Sequence, residues 1–205
     1  MARKFIWILL LSLIHQTSVS AQQNYRLSAE LGLGTMLIPE NKTLLNDYIP
    51  NVSLSVAKSM LDNKSEWIRR MHVSYQELTL TYMNQSKLTG MLDTAANSFG
   101  NVYMLTYSLM INLLGREKNH LYFIPGLGIA YDTKTFYENS KNIYIGSHIN
   151  YAIRFEWTYD RQINNNTHLL TGVKYMHYSN GAFVLPNRGI NSLTYTLGLA
   201  YQFKR

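Results

Sequence analysis

Beyond its first residues, the chain is dominated by apolar and polar positions that alternate with a period of two. Successive side chains of an extended strand point to opposite faces, so this alternation predicts a β protein. In the clearest segment, apolar residues share one parity from Leu193 to Phe203, and the residues between them are small or polar. The pattern predicts eight strands, near 25–34, 50–58, 66–83, 99–113, 120–131, 143–159, 167–179 and 191–203.

An even number of strands, each with one apolar face, favours an all-β fold, an eight-stranded antiparallel transmembrane β-barrel of the outer-membrane type. A soluble β-sandwich also alternates, but it would seldom bury so many tyrosines in its core. The 16 tyrosines and three tryptophans suit membrane interfaces, where amphipathic aromatic side chains collect. The connections also alternate in length, as in barrels with periplasmic termini. Short links are expected at 59–65, 114–119 and 160–166, and longer ones at 35–49, 84–98, 132–142 and 180–190.

If the apolar face meets lipid, the barrel interior must be polar. Arg154, Glu156 and Lys174 have the inward parity, and Glu30 is expected to join them. In so narrow a barrel these side chains would fill the lumen. We therefore expect a hydrogen-bonded plug with a structural role rather than a transport path.

The first 21 residues read as a secretory signal peptide. Arg3 and Lys4 precede an apolar run from Phe5 to Ile14, and small residues lead to Ala21. The run is about half the ~20 residues that a membrane-spanning helix needs. We expect residues 1–21 to be a signal peptide and residues 22–205 to form a single outer-membrane β-barrel domain.

Composition narrows the chemistry and the partners. The chain has no cysteine, which excludes disulfides and thiolate chemistry. Its formal charge is +7, or +5 without Arg3 and Lys4 of the predicted signal peptide. In an exported protein such a charge suits anionic lipid or lipopolysaccharide better than nucleic acid, which is not expected as a partner. No metal site and no cofactor are expected, because four histidines lack a ligand partner at a suitable spacing. These are His72, His120, His148 and His168.

The candidate chemistry lies at the end of the seventh predicted strand, in His177-Tyr178-Ser179-Asn180. Spacing of two puts His177 and Ser179 on one face of the strand. That face has the parity of Val173 and is opposite to Lys174, so the pair is expected to face lipid. Asn191 has the outward parity of the eighth strand. Polar groups facing hydrocarbon are costly and therefore indicate a function.

The function that these residue types allow is hydrolysis of an ester in a membrane lipid. Ser179 would attack the acyl carbonyl, and His177 would take its proton. Asn191 would orient the imidazole. Asn180 and Asn187, by side chain or backbone N–H, are candidates to bind the oxyanion.

The motif His177-Tyr178-Ser179-Asn180, followed by Pro186-Asn187 and Gly189-Ile190, resembles the signature of the lipid A 3-O-deacylase family. The resemblance covers the last two strands. It implies an eight-stranded outer-membrane barrel with a His/Ser/Glu triad facing the bilayer. It also implies removal of the ester-linked 3-hydroxyacyl chain at position 3 of lipid A, with His177 as base and Ser179 as nucleophile.

One position departs from the signature, because Asn191 stands where the family has its triad glutamate. An amide oxygen can still fix a histidine, but it cannot offset the imidazolium charge. In a Ser/His/Asp triad, the change of acid to amide has cost about ten-thousand-fold in rate. Asp132 or Glu138, from an outward loop, is an alternative partner for the histidine.

Basic residues in or beside the outward loops are candidates to bind lipid A phosphates or core sugars, although solvated loop charge explains them equally well. Arg188 is the most interesting, because it lies between the proposed nucleophile and the eighth strand. The others are Lys42, Lys87, Lys134 and Lys141.

Two alternatives to a lipid A deacylase remain open. The first is a phospholipase-like esterase that acts on glycerolipid. The second is a catalytically inactive structural or adhesive barrel, for which Asn191 is the strongest indication. A homodimer is a candidate assembly.

Overall fold

The eight predicted strands form one closed antiparallel barrel in the computed structural model, which describes residues 25–37, 48–88 and 98–203. Each strand pairs with the next along the chain, and the last pairs with the first. The predicted fold class is therefore confirmed, whereas the predicted signal peptide lies outside the described residues. The strands are β1 Tyr25–Met36, β2 Tyr48–Ser59, β3 Val73–Asn84, β4 Asn101–Arg116, β5 Asn119–Asp132, β6 Ile149–Gln162, β7 Thr167–Ser179 and β8 Ile190–Phe203.

The outer surface of the barrel is apolar, as the alternation predicts. In β8, Tyr195 and Leu197 are exposed, whereas Thr194 and Thr196 are buried. The same pattern holds in β4 and β6. A continuous belt of exposed leucine, isoleucine and aromatic side chains is stable only against lipid. The alternation of these strands therefore sets which side chains meet the membrane.

A helix of the described residues, α1, spans Glu66–Arg70. No helix among the described residues is long and apolar enough to cross a bilayer.

The predicted charged plug fills the middle of the lumen. Arg154 Nε donates to Glu156 at 2.9 Å, and Arg154 Nη1 donates to Glu77 at 3.0 Å. Lys174 Nζ lies 3.3 Å from Glu156 and 3.9 Å from Glu30. All five side chains are buried, so each charge depends on its neighbours for compensation. The four predicted members are confirmed, and Glu77 joins them.

The lumen is not polar throughout, and the prediction of a polar interior is wrong at the end that carries the longer connections, here called the outer end. Side chains at this end pack as an apolar core, because the loops cover them from above. The members include Met36, Ile49, Met83, Leu88, Phe99, Val102, Met104, Tyr144, Ile145, Met176, Tyr178 and Ile190.

Two predicted strands begin too early. The third was expected from residue 66, but 66–70 form α1, which an ion pair of 2.6 Å between Arg70 and Glu66 stabilises. The link between β2 and β3 is accordingly longer than expected. The sixth was expected from residue 143, but β6 starts at Ile149.

The segment before β6 folds over the outer end instead of continuing the sheet. Tyr144 and Ile145 are buried in the apolar core there. Ile145 forms a single bridge with Asn187, in the loop between β7 and β8. The loop 133–148 therefore lies against the loop that contains the candidate chemistry.

Candidate active site

The β7–β8 hairpin brings the three proposed catalytic residues together. Ser179 is the last residue of β7, and His177 on the same face pairs across the hairpin with Asn191 of β8. All three side chains are half-buried on the lipid-facing side, whereas Lys174 and Tyr178 point into the lumen. The three side chains therefore point outward, as their parity predicted.

The imidazole of His177 links the other two side chains. Its Nε2 lies 3.1 Å from Ser179 Oγ, and its Nδ1 lies 2.8 Å from Asn191 Oδ1. An amide oxygen only accepts, so Nδ1 carries the proton in this arrangement. Nε2 is then the unprotonated nitrogen, and it faces the serine hydroxyl. This geometry allows the histidine to act as a general base toward Ser179.

Asp132 and Glu138, the alternative partners proposed for His177, make their contacts elsewhere. Asp132 accepts a hydrogen bond of 2.9 Å from Asn150 inside the barrel. Glu138 lies 3.1 Å from His148 Nε2. The hydroxyl and backbone N–H of Thr135 both donate to Glu138, which lowers the pKa of that carboxyl below its ordinary value. Neither carboxylate takes the place of Asn191 beside Nδ1.

A fourth side chain, not anticipated from the sequence, belongs to this group. The hydroxyl of Tyr175 donates to Asn191 Oδ1 at 2.7 Å. Its parity in β7 is that of His177 and Ser179, which is the signal that could have revealed it. Asn191 Oδ1 therefore accepts from a phenol and an imidazole together.

The two candidate oxyanion residues have different positions in the loop after β7. The backbone N–H of Asn180 donates to Asn187 Oδ1 at 3.0 Å, and Asn180 Nδ2 donates to Val184 O at 2.8 Å. Both kinds of donor on Asn180 are therefore used within the protein. The amide nitrogen of Asn187 has no protein partner among the described residues, so it remains the available donor.

Residues of the neighbouring loop hold the stretch that precedes β8. The carbonyl of Tyr144 accepts from the backbone N–H groups of Arg188 and Gly189, both at 3.1 Å. Gly189 has a φ of 69°, and a Cβ at this position would lie 2.9 Å from His177 Cε1. This close approach requires glycine. The backbone here packs directly on the imidazole.

The described residues include four of the five basic residues that were expected near the site. Arg188 and Lys87 are exposed at the outer end, and the Lys87 ammonium lies 4.3 Å from the centre of the Tyr48 ring. Lys134 and Lys141 lie in loop 133–148, and Lys42 lies outside the described residues. Among the described residues no cluster of three or more histidine or acidic side chains could hold a metal ion.

Comparison with known proteins identifies the family. The family model described as lipid A 3-O-deacylase (PagL) matches residues 61–200. No curated protein matches the chain.

Two solved structures share the barrel. The outer membrane enzyme PagL has a TM-score of 0.51 and 19% identity, over 84% of this chain and 97% of that one. Neisserial surface protein A has a TM-score of 0.52 and 11% identity, over 89% and 98%. At these identities the two structures show a common fold, and the assignment to a family rests on the family model. The chain belongs to the lipid A 3-O-deacylase (PagL) family and is a β-barrel of the bacterial outer membrane.

Proposed function

We propose that this chain is a serine esterase that removes the ester-linked 3-hydroxyacyl chain of lipid A in the outer leaflet. The observation that carries the proposal is the hydrogen-bonded series Ser179–His177–Asn191 on the lipid-facing surface. It lies at the outer end of the barrel, where the longer connections are. An ester at the membrane surface could reach this serine without leaving the bilayer.

The reaction follows from the two imidazole nitrogens. Ser179 Oγ attacks the acyl carbonyl carbon while its proton passes to His177 Nε2. Collapse of the tetrahedral intermediate breaks the bond to the sugar oxygen, and the imidazolium returns the proton to that leaving oxygen. Water then attacks the acyl-serine with the same histidine as base. The products are a 3-hydroxy fatty acid and lipid A with a free hydroxyl at position 3.

Asn187 is the proposed donor to the oxyanion of both intermediates. Its Oδ1 accepts the N–H of Asn180, which fixes the amide so that Nδ2 is the end left to donate. Asn180 thus acts on the site through Asn187. Arg188, exposed on the same loop, is a candidate to bind a phosphate of lipid A by charge.

An inactive barrel is the second candidate, and the residue that favours it is Asn191. An amide gives no charge to stabilise the imidazolium. Against this, Asn191 Oδ1 occupies the acceptor position beside Nδ1 at 2.8 Å, as a working orienting residue would. Cys-His-Asn enzymes use an amide at the same point, so we expect catalysis that is slower than with a carboxylate but measurable.

The deciding experiment compares lipids in a Gram-negative host with fully acylated lipid A. The host produces the native chain, Ser179→Ala, or Ser140→Ala. Ser140 is an exposed serine of the neighbouring loop and serves as the matched control. Outer-membrane insertion is checked by the heat-dependent gel shift of a folded barrel, and lipids are analysed by mass spectrometry.

We expect the native chain and Ser140→Ala to remove one 3-hydroxyacyl chain from lipid A, and Ser179→Ala to remove none. Unchanged lipid A with released lysophospholipid would favour an esterase acting on glycerolipid. No change in any lipid from an inserted native barrel would favour the inactive candidate and overturn the proposal.

A further inference from the structure

Asn191 has an ambiguity that a carboxylate in the same place would not have. Both oxygens of a carboxylate accept hydrogen bonds, whereas an asparagine amide has one accepting and one donating end. Rotation of the amide by a half-turn would present Nδ2 to His177 in place of Oδ1. The two orientations have nearly the same shape, so packing alone distinguishes them weakly.

The two orientations have opposite consequences for the imidazole. With Oδ1 toward His177, Nδ1 carries the proton and Nε2 is free to accept the proton of Ser179. With Nδ2 toward His177, Nδ1 must accept, so the proton moves to Nε2 and the histidine cannot serve as base. A reversed tautomer of this kind accounts for most of the loss when a triad acid becomes an amide.

The hydroxyl of Tyr175 discriminates between these orientations. It donates to Asn191 Oδ1 at 2.7 Å, and the same oxygen lies 2.8 Å from His177 Nδ1. A phenol is a good donor but a poor acceptor, because its oxygen lone pair is delocalised into the ring. The flipped amide would replace a strong O–H···O bond with a weak N–H···O bond to the phenol.

The ring of Tyr175 is itself held in place. It stacks on Phe155 of β6, with ring centres 6.3 Å apart and planes 16° from parallel. Phe155 stacks in turn on Phe123 of β5, at 6.1 Å. The side chain also lies half-buried among its neighbours on β7 and β8. The hydroxyl is therefore presented to Asn191 from a fixed direction.

We propose that Tyr175 is a positioning residue that holds the Asn191 amide with its oxygen toward His177 and thereby selects the Nδ1-protonated tautomer. In this chain a tyrosine and an asparagine together would do what a single carboxylate does. The tautomer assignment stands on geometry alone, whereas its effect on rate rests on the proposed esterase function.

A double-mutant cycle tests the effect on rate. Tyr175→Phe keeps the ring and its stack on Phe155 but removes the hydroxyl. Asn191→Asp keeps the side-chain length but makes both ends acceptors. With Asn191 present, we expect Tyr175→Phe to lower kcat about fivefold or more, the factor set by one ordinary hydrogen bond, and to leave KM nearly unchanged. With Asp at 191, the same removal should change kcat by less than about twofold. Tyr195→Phe, on the outward face of β8, is the matched control and should change neither constant.

The tautomer is measured directly by nitrogen NMR of the barrel labelled at histidine, with the His177 signals identified by their loss in His177→Ala. We expect Nδ1–H in the native chain, a substantial fraction of Nε2–H in Tyr175→Phe, and Nδ1–H again in the double variant with Asp. An unchanged Nδ1–H tautomer in Tyr175→Phe would overturn the proposal, as would equal losses of kcat in both backgrounds. A tautomer shift in a chain without esterase activity would support this inference while it overturned the proposed function.

Discussion

Gly189 offers the sharpest test of whether the site works by the geometry described. Its φ of 69° lies in the left-handed region, which costs a residue with a Cβ about 1 kcal/mol or more. The Cβ of Gly189→Ala would lie 2.9 Å from His177 Cε1, whereas non-bonded carbons prefer about 3.5–4.0 Å. The imidazole or the loop must then move by about 0.6 Å or more.

That displacement falls on the atom between the two nitrogens of His177, so both of its hydrogen bonds are affected. The separation of Nε2 from Ser179 Oγ is already 3.1 Å, near the upper end of the ~2.6–3.2 Å over which a base can act. Misplacement on the order of 1 Å can cost about a hundredfold in rate. We expect Gly189→Ala to lower kcat by roughly ten- to a hundredfold.

Gly181→Ala is the matched control. Gly181 lies in the same loop with a φ of 66°, but a Cβ there would meet its nearest neighbours at 3.7 Å, an ordinary contact. Both variants should therefore lose about 1 kcal/mol of unfolding free energy from the left-handed backbone, and Gly189→Ala should lose more because of its close contact with His177. Only Gly189→Ala should lose activity. The assay is release of 3-hydroxy fatty acid by purified barrels in detergent, with unfolding followed in urea. Equal kcat values for the two variants would refute the reasoning.

Two further changes address the oxyanion donor and the lumen. Asn187→Asp keeps the acceptor for the Asn180 N–H but removes the donor, so kcat should fall about a hundredfold or more in steady-state kinetics; a change confined to KM would instead indicate a role in binding alone. Arg154→Met leaves buried glutamates without their main cation, so urea unfolding should show a loss of about 3–5 kcal/mol. The exposed Arg161→Met on the same strand should cost less than about 0.5 kcal/mol, and equal losses would contradict the structural role of the plug.

The sequence predicted the parts of the fold that depend on local geometry. Which face of a strand a side chain occupies follows from its parity, so the outward direction of His177 and Ser179 and the inward direction of Lys174 needed no tertiary information. The same rule predicted the exposed apolar face of β8. Strand pairing in simple chain order followed from the short and long connections.

The features that the sequence did not predict correctly depend mostly on contacts between distant segments. Residues 143–147 were expected to begin the sixth strand, in which Ile145 has the lipid-facing parity, but Ile145 is buried with Tyr144 in the apolar core at the outer end. Residues 66–70 are too few for periodicity to separate a helical turn from a strand. The contact of Tyr175 with Asn191 required the register of β7 on β8, which parity within one strand does not specify.

The candidate site consequently belongs to two hairpins rather than one. The family signature lies wholly in the β7–β8 hairpin, yet the backbone that packs on His177 is held by the Tyr144 carbonyl from the loop between β5 and β6. The bridge between Ile145 and Asn187 ties the proposed oxyanion donor to that same loop. The signature therefore supplies the proposed reacting groups, whereas loop 133–148 holds the backbone that packs on His177.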